Sequence, residues 1–84
     1  MNKEILTKQV LYRSIHRGCK ETDILLGKFA EAKVAEFSDD KLNLYHHFIE
    51  EDDMMIYDWI LSKANFPSKY SELISEIRDF HNLN

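Results

Sequence analysis

This chain is poor in the residues that punctuate irregular folds. Its 84 residues include one cysteine, one proline and two glycines. A lone Cys19 leaves no internal disulfide and suits a reducing compartment. So little Gly and Pro leaves scant scope for a β sandwich or barrel, which needs turn signals roughly every ten residues. No apolar run is long enough to cross a bilayer. The opening Met-Asn-Lys-Glu-Ile-Leu has neither a signal-peptide core nor an Arg- and Ser-rich transit composition. The expected location is the cytoplasm, for the chain as it stands or for a form already trimmed. Positive charge is also short: eleven Lys and Arg face fifteen Asp and Glu, a net −4. That makes nucleic acid a poor partner, because neutralising phosphate supplies most non-specific affinity. Internal repeats and low-complexity tracts are absent, and no Gly-x-Gly-x-x-Gly is present to cradle a dinucleotide.

What remains is an ordinary globular composition, 44% hydrophobic and 31% charged. The length predicts a single domain over residues 1–84 of modest stability. Charge is unevenly placed. Residues 1–20 hold Lys3, Lys8, Arg13, Arg17 and Lys20 against Glu4 alone, while the rest is strongly acidic. A basic first segment on an acidic body suits a partner approached in fixed orientation, or simply a basic helix balancing its neighbours.

The apolar spacing predicts an all-α fold, a compact bundle of about five short helices. The first runs from about Lys3 to Arg17 on Leu6, Val10, Leu11 and Ile15, with Gly18 as a left-handed stop. The second spans about Lys20 to Phe37 on Leu25, Leu26, Phe29 and Ala32, with Glu21 and Asp23 at its positive end. Gly27 inside it reads as a cost of about 1 kcal/mol against Ala. Ser38 caps a third helix carrying Leu42, Tyr45, Phe48 and Ile49. Glu50 to Asp53 forms a solvated acidic turn that ends this helix and caps a fourth, with Ile56, Trp59 and Ile60 inward. After a break at Asn65-Phe66-Pro67-Ser68, the fifth shows the cleanest period, Tyr70, Leu73, Ile74, Ile77 and Phe80. Asn82 to Asn84 are expected to fray.

The segment of most interest is Arg17-Gly18-Cys19-Lys20-Glu21, then Asp23, at the first interhelical junction. Its plain reading is structural, with Gly18 a stop and the two charges complementing helix ends. Its functional reading is a docking corner. A missing side chain lets a partner backbone approach, Arg17 offers a bidentate cation, and Glu21 offers an anion. The two are compatible.

The block His16-Arg17-Gly18-Cys19-Lys20-Glu21-Thr22-Asp23, with Glu50-Glu51-Asp52-Asp53 and Trp59 beyond it, resembles the FAD assembly factors (SdhE type) of succinate dehydrogenase. Arg17, Gly18, Glu21 and Asp23 match the family's Arg-Gly-x-x-Glu pattern. His16 replaces a common second Arg, and Met54 a Pro often found after the acid pair. The resemblance, over roughly residues 5–80, implies a non-enzymatic factor that binds the flavoprotein subunit of succinate dehydrogenase, or of fumarate reductase. It would promote covalent attachment of FAD to a His of that client, the factor holding no tightly bound cofactor itself. It places the contact centre at Arg17, Gly18 and Glu21, with Cys19, Lys20 and Asp23 at its edge. A monomer is expected, without membrane insertion. The alternative it carries is an antitoxin-like protein that sequesters a small partner.

Other chemistry is weakly signalled. His46 with Glu50, and His47 with Glu51, have i,i+4 spacing, but His-Glu-x-x-His is absent and no metal site is expected. Cys19 near Lys20 and a helix start has an activating setting, yet nothing orients His16 toward it, and an incidental thiol is the reading adopted. The aromatics, Tyr12 among them, fall mostly on helical stripes and read as core.

Overall fold

Helices begin where the chain supplies a cap. Asn2 accepts the Glu4 N–H through Oδ1 at 2.7 Å and opens α1, Lys3–Ile15. Ser38 does the same for the Lys41 N–H at 3.2 Å and opens α3, Asp39–Phe48. Asp52 receives the N–H groups of Met54 and Met55 at 3.0 and 3.2 Å and opens α4, Asp53–Leu61. Between these lie α2, Lys20–Lys33, with a 3₁₀ turn at Val34–Glu36, and after them a 3₁₀ turn at Ser68–Tyr70 leading into α5, Ser71–Phe80. The computed structural model describes residues 2–61 and 65–83. Among them the architecture is all-α, with no strand. The α4–α5 connection lies partly outside the described residues.

Helix α1 lies along α2, and α2 also meets α4 and α5. The core is one continuous cluster to which every α-helix contributes. The predicted stripes of α3, Leu42, Tyr45, Phe48 and Ile49, and of α4, Ile56, Trp59 and Ile60, are buried throughout. Tyr70, closing the 3₁₀ turn before α5, and Leu73, Ile74 and Ile77 on α5 are buried, and Phe80 packs against them from the rim. Each fully buried Leu, Ile or Phe contributes roughly 1.5–3 kcal/mol. The aromatic centre is edge-rich: Phe48 meets Tyr70 at 5.1 Å between centroids, and Phe29 meets Phe80 at 5.8 Å. Tyr45 lies in this centre with its hydroxyl 2.7 Å from Ser14 Oγ, which donates to the Val10 carbonyl. Burial pushes the Tyr45 phenol up to about 12.

The structure corrects several expectations. Gly18 is not a left-handed stop, since no glycine among the described residues has positive φ. Helix α1 ends instead at His16 (φ −110°, ψ 62°), its N–H on the Tyr12 carbonyl. In α1 the buried stripe is Leu6, Val10 and Ser14, while Leu11 and Ile15 are only half covered. A polar Ser14 is tolerated there because both Val10 and Tyr45 satisfy it. In α2 the stripe turns by one residue: Ala30 is buried and Ala32 exposed. Gly27 faces α1. A Cβ there would make ordinary contact, 3.6 Å from the Ser14 carbonyl oxygen and 3.7 Å from Ile15 Cα, so α1 packs on α2 closely enough to leave room for a methyl group and little more. Helix α2 also stops at Lys33, short of Phe37, and tightens into the 3₁₀ turn.

The end of the chain is tied down rather than frayed. Asn82 adopts φ 57°, its N–H bonds to the Asp79 carbonyl at 3.1 Å, and the Leu83 N–H reaches the Arg78 carbonyl at 2.9 Å. That is a Schellman cap on α5. Buried Arg78 donates to the carbonyls of Ile60 and Leu83, fastening α4's last turn and the tail together. Asn84 lies outside the described residues.

Candidate docking site

The corner between α1 and α2 is organised by a residue 35 positions away. Asp53, the first residue of α4, turns its carboxylate back onto the junction. Oδ1 accepts from Arg17 Nε at 2.7 Å and lies 2.6 Å from Nη2. Oδ2 accepts the backbone N–H groups of Gly18 at 3.0 Å and Cys19 at 3.2 Å. The Asp53 carbonyl takes the Thr22 hydroxyl at 3.0 Å. One residue thus gathers the end of α1, the link and the first turn of α2. The acceptor is charged and so is its main donor, which makes these bonds stronger than neutral ones.

This geometry sets Gly18 directly against Asp53. An added Cβ would sit 3.4 Å from Asp53 Oδ2, at the edge of ordinary contact. A methyl group would be accommodated, so neither the carboxylate's approach nor a left-handed backbone demands glycine here. The rest of the acidic run is likewise committed. Glu50 forms a two-pronged pair with Arg13, Nη2 to Oε2 at 2.9 Å and Nη1 to Oε1. That bond holds the Glu50 carboxyl below its usual range. Glu51 accepts the Tyr70 hydroxyl at 3.1 Å, and burial together with that carboxylate pushes the phenol up. The expected acidic turn does end α3 and cap α4 through Asp52, with Glu50 and Asp52 exposed, and beyond that Glu50, Glu51 and Asp53 bind α1, the 3₁₀ turn before α5 and the junction.

The predicted contact residues divide into two groups. The Arg17 side chain is only 8% exposed and faces Asp53, so its guanidinium acts mainly as an internal brace. Gly18, Lys20 and Glu21 are exposed, and Cys19 and Asp23 are half-buried. The Glu21 carboxylate accepts the Cys19 thiol at 3.3 Å; its own backbone N–H and that thiol hold it below its usual range. The outward surface is thus a bare glycine followed by a cation and an anion. Beside it lies an open groove of about 490 Å³ between Tyr12, His16 and Gly18 on one side and residues 49–53 on the other.

Sequence reasoning missed Asp53 as organiser, Thr22 as its partner and Arg13 as the partner of Glu50. The signal available was a polar Thr22 one turn before buried Leu26, a position that must find a bond. Elsewhere, His46 Nε2 lies 3.7 Å from Glu50 Oε1, and His47 Nδ1 bonds to the Asn43 carbonyl at 2.8 Å. Among the described residues no three His, Cys, Asp or Glu side chains are grouped to hold a metal ion. No described helix is long and apolar enough to cross a membrane.

Fold and corner define a class: a small all-α protein with its densest polar geometry at an interhelical junction beside exposed backbone. Comparison with known proteins narrows the class. The chain belongs to the family described as the flavinator of succinate dehydrogenase, which it matches over residues 8–81. It is 33% identical over 78 residues to succinate dehydrogenase assembly factor 2, mitochondrial, of Dictyostelium discoideum, a match covering 93% of this chain and 55% of that protein. It is 27% identical over 79 residues to FAD assembly factor SdhE of Coxiella burnetii, covering 93% and 95%. A third match, to the mitochondrial assembly factor 2 of Aspergillus terreus, is 38% identical over 56 residues, 67% of this chain and 19% of that protein. The chain spans about half or less of the length of the mitochondrial relatives it matches. These matches lend no support to the antitoxin-like reading.

Proposed function

We propose that this chain is a non-catalytic assembly factor that binds the flavoprotein subunit of succinate dehydrogenase, or of fumarate reductase, and promotes covalent attachment of FAD to it. The observation that carries this reading is the family match across residues 8–81, joined by full-length similarity to a relative named FAD assembly factor. The corner supports it with a means of contact. Gly18 exposes its backbone, Lys20 and Glu21 offer both charges, and Arg17 with Asp53 holds the platform from behind. The nucleophile and the flavin belong to the client. The factor contributes by favouring a client conformation in which the two meet in reactive geometry. FAD is not held tightly by this chain, and its cytoplasmic, monomeric state forms part of the same proposal.

The experiment is a pull-down from the native cell, with the captured flavoprotein scored for covalent flavin. The Gly18→Arg variant places a long side chain where the partner backbone would press. It is expected to fold and to lower client flavinylation severalfold. A folded Gly18→Arg protein supporting normal covalent flavin would remove the corner from the mechanism. Failure of the unaltered chain to capture any flavoprotein would remove the assembly role itself.

A further inference from the structure

The sign of charge that the corner takes from its partner follows from how its peptide groups are turned. The N–H groups of Gly18 and Cys19 both point at one atom, Asp53 Oδ2, at 3.0 and 3.2 Å. In a planar trans peptide the carbonyl points opposite to the N–H. The Arg17 and Gly18 carbonyls share these two peptide groups, so both are turned away from Asp53. Among the described residues no hydrogen bond reaches either oxygen. Gly18 is exposed and carries no side chain to screen them. A carbonyl accepts and cannot donate, so the face left to a visitor at Gly18 is an acceptor face.

The charges around it agree. Glu21 folds its carboxylate back to the Cys19 thiol at 3.3 Å, which keeps an anion at this end of α2. The groove that includes Gly18 is lined by two cations, Arg13 and Arg17, and by the four acids of residues 50–53. Both cations are already paired, with Glu50 and Asp53, so the surplus is negative. Glu51 meets the uncharged Tyr70 hydroxyl, and exposed Asp52 meets backbone N–H groups. Positive charge in residues 1–20 does not reverse this. Four of its five cations are matched to acids, and Lys20 alone has no ion pair among the described residues.

The geometry points to a cationic side chain of the flavoprotein client, an arginine or lysine, seated at Gly18 against the Arg17 and Gly18 carbonyls and flanked by Glu21 and the acidic groove. This inference rests on the function proposed above and names the partner's chemistry at the same corner. A guanidinium or ammonium only donates, and it carries enough N–H groups to meet carbonyls and a carboxylate together. Exposed Lys20 stands at the edge of this seat and opposes the visitor, so its removal has a telling sign.

The test titrates the purified apo flavoprotein subunit of succinate dehydrogenase with the unaltered chain and with Glu21→Gln, Asp52→Asn and Lys20→Glu. Two salt concentrations are used, well below each variant's unfolding midpoint. Asn caps a helix about as well as Asp, so Asp52→Asn keeps α4. Glu21→Gln and Asp52→Asn should each weaken binding about threefold and flatten its salt dependence. Lys20→Glu should tighten binding by about the same factor. In an isotope-labelled chain, the Arg17 and Gly18 carbonyl carbon signals should shift on binding. The reverse pattern, tighter binding with Glu21→Gln and weaker with Lys20→Glu, would mean that the client brings an acid; the inference is then overturned while the assembly role stands. Binding indifferent to all three charges, or carbonyl signals that do not move, would overturn it as well. If the unaltered chain does not bind the flavoprotein, the assembly role falls and this inference with it.

Discussion

At the residue scale, Asp53 concentrates more of the corner's integrity than any residue the spacing singled out. It accepts from Arg17, Gly18 and Cys19 and receives Thr22 on its carbonyl. Removing it strands a guanidinium that is 8% exposed. Breaking a fully buried pair costs roughly 3–5 kcal/mol; with Asp53 itself 21% exposed, Asp53→Ala should cost about 2–3 kcal/mol in urea denaturation. Asp52→Ala removes only a cap and should cost about 1 kcal/mol. Equal losses for the two variants would mean that Asp53 is no more than a second cap. The sequence placed both in one acidic run and could not rank them. Charge type is legible there, but which carboxylate turns inward depends on a junction 35 residues distant.

At the element scale, helix existence and order were legible and helix ends less so. The stripes of α3, α4 and α5 have dense apolar residues at clear helical spacing, and all were read correctly. In α1 and α2 the stripes include Ser14, Thr22 and Gly27, whose burial rests on partners rather than on hydrophobicity. Their faces were accordingly misjudged by a residue. Gly27 makes this testable: Gly27→Leu should push α1 from α2 and lower stability by about 1–3 kcal/mol, measured by thermal or urea unfolding. An unchanged midpoint would show that the two helices do not approach as closely as described. The ordered tail was unreadable because its Schellman cap uses Asn82, and Asn marks loose ends as often as caps.

At the scale of the whole molecule, a surface ion pair and a buried phenol link stability to pH at the two extremes. Hydrogen bonding from Arg13 lowers the Glu50 pKa in the folded chain. The unfolded carboxyl therefore takes up its proton first, near 4.5. The contribution of the pair is present above that pH and is lost as pH falls through the lower folded value. Tyr45 behaves oppositely, with a folded value of about 12 against 10.0. Stability is unaffected by this group below pH 10 and falls as pH rises from 10 toward 12. Melting midpoints across pH should show both losses. Glu50→Gln should blunt the acid-side decline, and Tyr45→Phe the alkaline-side one; unaltered profiles would remove these groups as the cause.

The weld at Asp53 has a consequence for anything that presses on Gly18. Two helices, α1 and α2, that could have pivoted about a loose link are instead clasped by one carboxylate from α4, which takes donors along the junction. A visitor meets a surface already set in its final shape, so little motional freedom remains to be frozen on contact. Loosening that clasp would therefore slacken recognition even in a variant whose outward-facing atoms were all intact.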